Sequence, residues 1–374
     1  MRIVTLDTHY QRFLDSLYQA TPGLEEQPYE QQLATIMRTR FGASDVYSTA
    51  FRALGHDAVD IVPNCEQLHR AWLRDADVAP STRPDDVSGI ATAQILDYEP
   101  DVALIQNVRV LSLSDIDRLK RAGVLVVGQI STGPPSLRRM RKFDLVVSSY
   151  PSLVERFTRK GIRTEYLALA FDPRVIEDLE RQGMSAAPDS PREIGASFVG
   201  TYSALIYGRG TDRVFRRLVE DFDVQLYGRP NWKVRRNPPL RRMLRGEAWG
   251  LDMYRLLAQS RVVINRHGKS AKGFANNMRL FEATGMGALV LTEDAPNLRD
   301  LFEPGVEVLT YASERELRAR LREALDDEDR RIAIASAGQQ RTLRDHQYAD
   351  RARTLAALFT DLAASAPMQT AGRG

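Results

Sequence analysis

Residues 276–282, Asn276-Asn277-Met278-Arg279-Leu280-Phe281-Glu282, place two amides, a guanidinium and a carboxylate at helical spacing. That set suits a phosphate joined to a sugar. The first N–H groups of a helix lack intrahelical partners, so its start is a natural seat for a phosphate. An arginine beside it adds charge-assisted donors for the same anion. A carboxylate one turn further in can accept the two hydroxyls of a ribose. A plainer account uses the same residues: Arg279 and Glu282 as an exposed i,i+3 ion pair, with Asn276 as the helix cap. In the helical pattern Leu280, Phe281 and Thr284 face the core, while Arg279 and Glu282 share the opposite side. Gly285 and Gly287 then break the helix, and residues 288–291 form an apolar run expected of a parallel strand covered on both faces.

Further candidates sit where strands are expected to end. Strands are read at 2–6, 58–62, 101–106, 124–130, 143–148 and 164–169, with helical patterning within 28–55, a helix at 115–122 and another opening at 151–157. Residues 172–194 turn polar around Ala186-Ala187-Pro188-Asp189-Ser190-Pro191 and read as a linker. The alternation restarts with strands at 196–199, 222–227, 262–265 and 307–310, then helices at 314–325 and 330–362, and a frayed tail over 364–374. Strands alternating with helices imply parallel sheets with helices on both faces. The expected architecture is α/β: two doubly wound Rossmann-like domains, 1–180 and 181–345, with a cleft between them. Residues 346–374 form a C-terminal helix, packing back towards the first domain, and the tail. In open parallel sheets ligands gather beyond the carboxyl ends of the strands. On the second domain that rule collects Gly200-Thr201-Tyr202-Ser203, Gly228-Arg229, Arg266, His267 and Lys269 with the 276–282 helix; on the first, Asp7, His9, Asn107, Gln129 and Ser131.

Composition excludes several classes. The 374 residues are 43% hydrophobic and 27% charged, as in ordinary globular proteins, and 52 basic against 49 acidic residues leave a net charge of only +3. Cys65 is the single cysteine, so neither an internal disulfide nor a cysteine-built metal site is available. The five histidines show no ligand-like spacing. The N-terminus turns polar too early for a signal peptide, and no apolar run reaches membrane-spanning length, which gives cytoplasmic residence as the expectation.

From Tyr254 to Tyr311 the sequence resembles the C-terminal domain of GT-B glycosyltransferases of the CgeB-like (spore maturation protein-like) group. The resemblance is carried by residues 256–265, LLAQSRVVIN, by residues 277–285, NMRLFEATG, and by residues 297–305, NLRDLFEPG. Phe198-Val199-Gly200 and Arg213 follow the same order more weakly. The resemblance implies two facing Rossmann-like domains and a metal-independent transfer from a nucleotide-diphosphate sugar, UDP- or GDP-linked, with no other cofactor. It also implies that Glu282 holds the ribose. Arg279 and the N–H groups at Asn276 and Asn277 contact the diphosphate, with Gly200, Arg213, His267 and Lys269 as further donor contacts. One departure counts: retaining relatives carry a second glutamate eight positions earlier, and here that position is Phe274. The stereochemical outcome is therefore open. An inverting transfer needs a general base for the acceptor proton, and His9, with Asp7 as alternative or orienting partner, is the candidate.

Residues 229–245 are strongly basic. They suit an anionic acceptor, an anionic membrane surface or nucleic acid, or are simply a solvated loop. The reading is a glycosyltransferase acting on a polysaccharide, glycoprotein or small-molecule acceptor, with peripheral contact at the inner membrane face as an extension; nucleic acid is disfavoured. A sugar-nucleotide epimerase on the same plan, or a non-enzymatic adaptor built on 229–245, are the alternatives.

Overall fold

The computed structural model of the protein describes residues 1–76, 85–131, 133, 135–200, 211–230 and 232–365. It divides into two compact units, Met1–Ala168 together with the segment from Tyr348 onward, and Leu169–Gln347.

The first unit is a parallel sheet in the order β2-β1-β3-β4-β5-β6: β1 Arg2–Leu6, β2 Asp57–Ile61, β3 Val102–Ile105, β4 Leu125–Ile130, β5 Leu145–Ser148 and β6 Thr164–Tyr166. All its pairings are parallel. β3 and β5 are buried at every position, because helices cover both faces. The second unit repeats the plan in the order β12-β11-β10-β7-β8-β9: β7 Ile194–Val199, β8 Val224–Tyr227, β9 Leu244–Gly246, β10 Ser260–Asn265, β11 Leu289–Glu293 and β12 Leu309–Tyr311. Alternate residues of these strands feed separate cores on the two faces. Val263 and Val290 pack with Phe281 and Phe302, and Val262, Ile264, Leu289 and Leu291 with Phe198, Phe215 and Leu321.

Three differences from the sequence reading have physical causes. Residues 172–194 are not a bare linker. They contain the helix Arg174–Glu180, whose Val175 and Leu179 are fully buried in the core around Phe281 and Phe302 although charged residues surround them in sequence. The continuous helix expected over 330–362 is two helices, Glu328–Asp345 and Tyr348–Ser365. The break is held by His346: its ring packs on Phe281 and Phe302, its Nε2 lies 2.8 Å from the carbonyl of Leu301, and its own carbonyl accepts the Phe171 N–H. Helices at Gln11–Ala20, Glu66–Asp75 and Val87–Tyr98 were not expected; the first two bury only short apolar sets such as Phe13 and Leu14. Of the expected tail, residues 366–374 lie outside the described residues.

Gly285 ends the helix Met278–Gly285, and a methyl group there would meet the Phe171 ring at 2.7 Å. Gly287 makes the following turn at φ +67°, a conformation that favours glycine.

Candidate functional site

In the second sheet β7 and β10 are neighbours. From β7 the chain proceeds outward to β8 and β9, and from β10 to β11 and β12 on the other side. The space beyond their carboxyl ends is therefore the topological switch point, where ligands of open parallel sheets bind. The helix Met278–Gly285 starts there. Its N-cap is Asn277, not Asn276: the Asn277 Oδ1 accepts the Leu280 N–H at 3.2 Å. The Asn277 Nδ2 donates to the Asn265 Oδ1 (2.9 Å) and the Arg266 carbonyl (2.8 Å), fastening the helix start to the end of β10. Asn276 keeps a buried Nδ2 with no partner among the described residues.

Arg279 and Glu282 form an ion pair of 2.8 Å, with side chains only 17% and 8% exposed. The outward-facing pair expected from the helical pattern is thus enclosed. The helix is buried continuously from Leu280 to Gly285 because the helices Gly250–Gln259 and Glu328–Asp345 flank it. Arg279 Nε also points to the Val199 carbonyl at the end of β7 (3.4 Å), and Glu282 Oε1 lies 3.4 Å from the Tyr254 hydroxyl. An exposed pair is worth little, whereas removing one partner of a buried pair costs about 3–5 kcal/mol because the other charge is stranded.

A pocket of about 490 Å³, a size suited to a small ligand, opens at the carboxyl ends of β10, β11 and β12, and none of residues 276–282 lines it. His267 and Lys269 line it, with Arg266, Glu293 and Tyr311. Glu293, which the sequence did not single out, organises the wall: its Oε1 takes Arg266 Nε at 2.9 Å and its Oε2 takes the His267 N–H at 2.7 Å. The His267 Nε2 meets the Thr292 hydroxyl at 3.1 Å, while Nδ1 is buried without a partner among the described residues. Burial pushes the His267 pKa below its ordinary value, so the ring is neutral at neutral pH. Arg213 is exposed in the first turn of the helix Thr211–Asp221; its neighbour Val214, rather than Arg213, lines the pocket.

Gly200 ends β7, and its N–H donates to the Tyr227 carbonyl. Gly228, just beyond β8 at φ +138°, leaves no room for a side chain: a Cβ would fall 1.9 Å from the Gly200 carbonyl oxygen. The close approach recorded here is backbone on backbone. Residues 201–203 lie outside the described residues.

In the first unit the switch point falls between β1 and β3. Asp7 and His9 follow β1 there, and Asn107, after β3, donates to the Thr8 hydroxyl at 2.9 Å. His9 is buried, with its ring against Phe13 and Phe41. Burial pulls its pKa down to about 4, and its Nε2 has no partner among the described residues. Asp7, which accepts the Thr8 N–H at 2.7 Å, is pushed up to about 6 by burial, with the Asp60 charge adding to the shift. Asp7 is therefore better matched than His9 to a base working near neutrality. Gln129 turns its amide to the Tyr47 hydroxyl (3.0 Å).

Asp60 on β2 accepts hydroxyl hydrogen bonds from Ser48 and Thr5, yet burial raises its pKa from 3.8 to about 6. Between those values the folded chain holds a proton that the unfolded chain has released, so stability falls as pH rises through that window. Replacing Asp60 by Asn is expected to raise stability at pH 8 by roughly 1–3 kcal/mol and to change it little at pH 4. Urea melts at the two pH values check this; equal melts of variant and parent at pH 8 would contradict it.

Among the described residues no group of three His, Cys, Asp or Glu side chains is placed to hold a metal ion. No described helix is long and apolar enough to cross a membrane.

Two Rossmann-like units, each with its own switch point, make the GT-B fold of glycosyltransferases, and solved structures agree. HepE from Anabaena, described in complex with UDP-glucose, superposes with a TM-score of 0.61 at 14% identity, over 96% of this chain and 100% of that one. A glycosyltransferase from Rickettsia africae gives 0.61 at 12% identity, over 98% and 99%. AviGT4, a glycosyltransferase of avilamycin A biosynthesis, gives 0.57 at 14% identity, over 98% and 99%. The family model described as "Glycosyl transferase-like" matches residues 211–357, a segment that contains Arg266, His267, Lys269, Asn276, Asn277, Arg279, Glu282 and Glu293. No curated protein matches the chain.

Proposed function

We propose that the protein is a glycosyltransferase that moves a sugar from a nucleotide-diphosphate sugar to a hydroxyl-bearing acceptor. The observation that carries this reading is the enclosed Arg279–Glu282 pair at the β7/β10 switch point, inside the family-matched segment. An ion pair needed only for stability gains little from burial, whereas one that exchanges partners with a ligand has reason to be held there. In this reading Glu282 accepts the ribose hydroxyls. Arg279, the first N–H groups of the helix and the unpartnered Asn276 amide meet the diphosphate, with Gly200 close by. His267 and Lys269 serve the donor from the pocket wall, and Arg213 is a second phosphate arginine.

The transfer is written as metal-independent, because Arg266, Lys269, Arg279 and the helix start supply positive charge for the leaving diphosphate. The acceptor oxygen bonds to the anomeric carbon as the bond to the diphosphate breaks. On an inverting route, Asp7 or His9 takes the acceptor proton. The CgeB-like group remains the finer assignment. UDP is the favoured base carrier, since HepE is described with UDP-glucose. A polysaccharide, glycoprotein or small molecule is the acceptor class. No observation favours the epimerase.

The test is a thermal-melt panel with UDP-glucose, other UDP-sugars and GDP-sugars. A ligand that binds only the folded form at a hundred times its Kd adds about 2.7 kcal/mol, on the order of 5 °C for a protein of this size. A panel in which no nucleotide sugar raises the melting temperature would sink the reading.

A further inference from the structure

The connection between β8 and β9 has two sides of opposite character. Its helices Trp232–Arg235 and Pro238–Met243 are anchored inward by Val234 and Leu240, both buried in the second core. Outward, Arg229, Arg235, Arg236, Arg241, Arg242 and Arg245 are all exposed, and residues 229–246 contain no Asp or Glu. Some exposed arginines elsewhere on the surface sit beside acids one helical turn away, as in Arg70–Glu66, Arg299–Glu303 and Arg320–Glu323. Among the described residues these six form no ion pair.

The segment also shows Trp232, 64% exposed, with the Arg236 guanidinium 5.5 Å from its ring centre. A solvated basic loop has no use for an exposed indole, which leaves a large apolar face in water. Indoles are most at ease at the level of lipid headgroups, where the ring is half in hydrocarbon and its N–H still wet. Unbalanced arginines around such a ring are attracted to anionic headgroups, and the attraction grows with each charge near the surface. Together a fixed apolar anchor and a cationic collar describe a peripheral membrane contact.

We infer that the 229–245 face of the second unit docks on an anionic phospholipid bilayer through Trp232 and the surrounding arginines. The inference stands apart from the donor site, and neither fails with the other.

Flotation of the full chain with vesicles tests it. The protein is expected to float with vesicles containing about one-third phosphatidylglycerol, to stay behind with pure phosphatidylcholine, and to be released by high salt. Trp232 emission should shift to the blue on binding, and that shift should vanish in Trp232→Phe while Trp72 and Trp249 remain. Arg241→Glu/Arg242→Glu should weaken vesicle binding at least about tenfold, with the melting temperature and nucleotide-sugar affinity unchanged. No flotation with anionic vesicles would overturn the inference, as would a double variant that floats like the parent. Binding to single-stranded DNA as tight as to vesicles, with no emission shift, would also overturn it and mark a polyanion site instead.

Discussion

Glu282→Gln is expected to leave the protein folded and to lower its affinity for the nucleotide sugar by roughly a hundredfold. The carboxylate is 8% exposed and held by Arg279, so the conservative amide is the informative change. Glutamine keeps the volume and one acceptor for Arg279 but loses the charge. Hydrogen bonds to a charged acceptor are worth about 1.5–3 kcal/mol each, and in the proposed site two ribose hydroxyls would share this one. Alanine would confuse the result, because it also takes away the acceptor that Glu282 offers Arg279 and leaves a cavity, at a cost of about 3–5 kcal/mol. Isothermal calorimetry with the best ligand of the melt panel gives the affinity, and a urea melt gives the stability. Unchanged affinity in a folded Glu282→Gln protein would remove this carboxylate from the donor site.

The second large effect is expected at Gly228. A Cβ there meets the Gly200 carbonyl oxygen at 1.9 Å, and the backbone, at φ +138°, is one that side chains rarely adopt. Neither atom in that clash is the end of a flexible chain, so the ends of β7 and β8 must separate. Gly228→Ala should cost about 3–5 kcal/mol and, if Gly200 is a donor contact as proposed, weaken donor binding. Gly246→Ala is the control: its φ is +94°, but the methyl group would enter open space. That change should cost only the backbone strain, about 1–2 kcal/mol. Equal melts for the two variants would mean that the backbone contact is not what holds these strand ends.

The sequence was most readable where burial is symmetrical. Runs such as Val102–Ile105 and residues 288–291 are apolar because helices cover both faces, and that demand leaves a mark no neighbour can disguise. Arg174–Glu180 escaped notice because only one narrow stripe of it is buried, and charges fill the remainder. The helix Met278–Gly285 was read with the right residues and the wrong exposure. Periodicity describes one apolar face, and this helix is packed on all sides, with Arg279 neutralising Glu282 inside. Glu293 was missed for a different reason. It ends a strand between Thr292 and Asp294, where polar residues are ordinary, and its partners Arg266 and the His267 N–H are 27 and 26 residues away in sequence. His346 is similar: nothing in residues 342–350 announces that an imidazole between Phe281 and Phe302 interrupts a long helical pattern.

The interruption at residues 346–347 has a consequence for biosynthesis. Leu169–Gln347 is a single uninterrupted stretch, whereas the other unit is completed by the helix Tyr348–Ser365, which follows that stretch in sequence. Tyr348 meets Tyr47 edge-on at 5.3 Å, and Phe359 packs on Phe51 at 5.8 Å, so those early aromatics wait for residues made some 300 positions later. Residues 169–347 of the nascent chain can reach their native form first, while residues 1–168 stay incomplete until the helix Tyr348–Ser365 has been made.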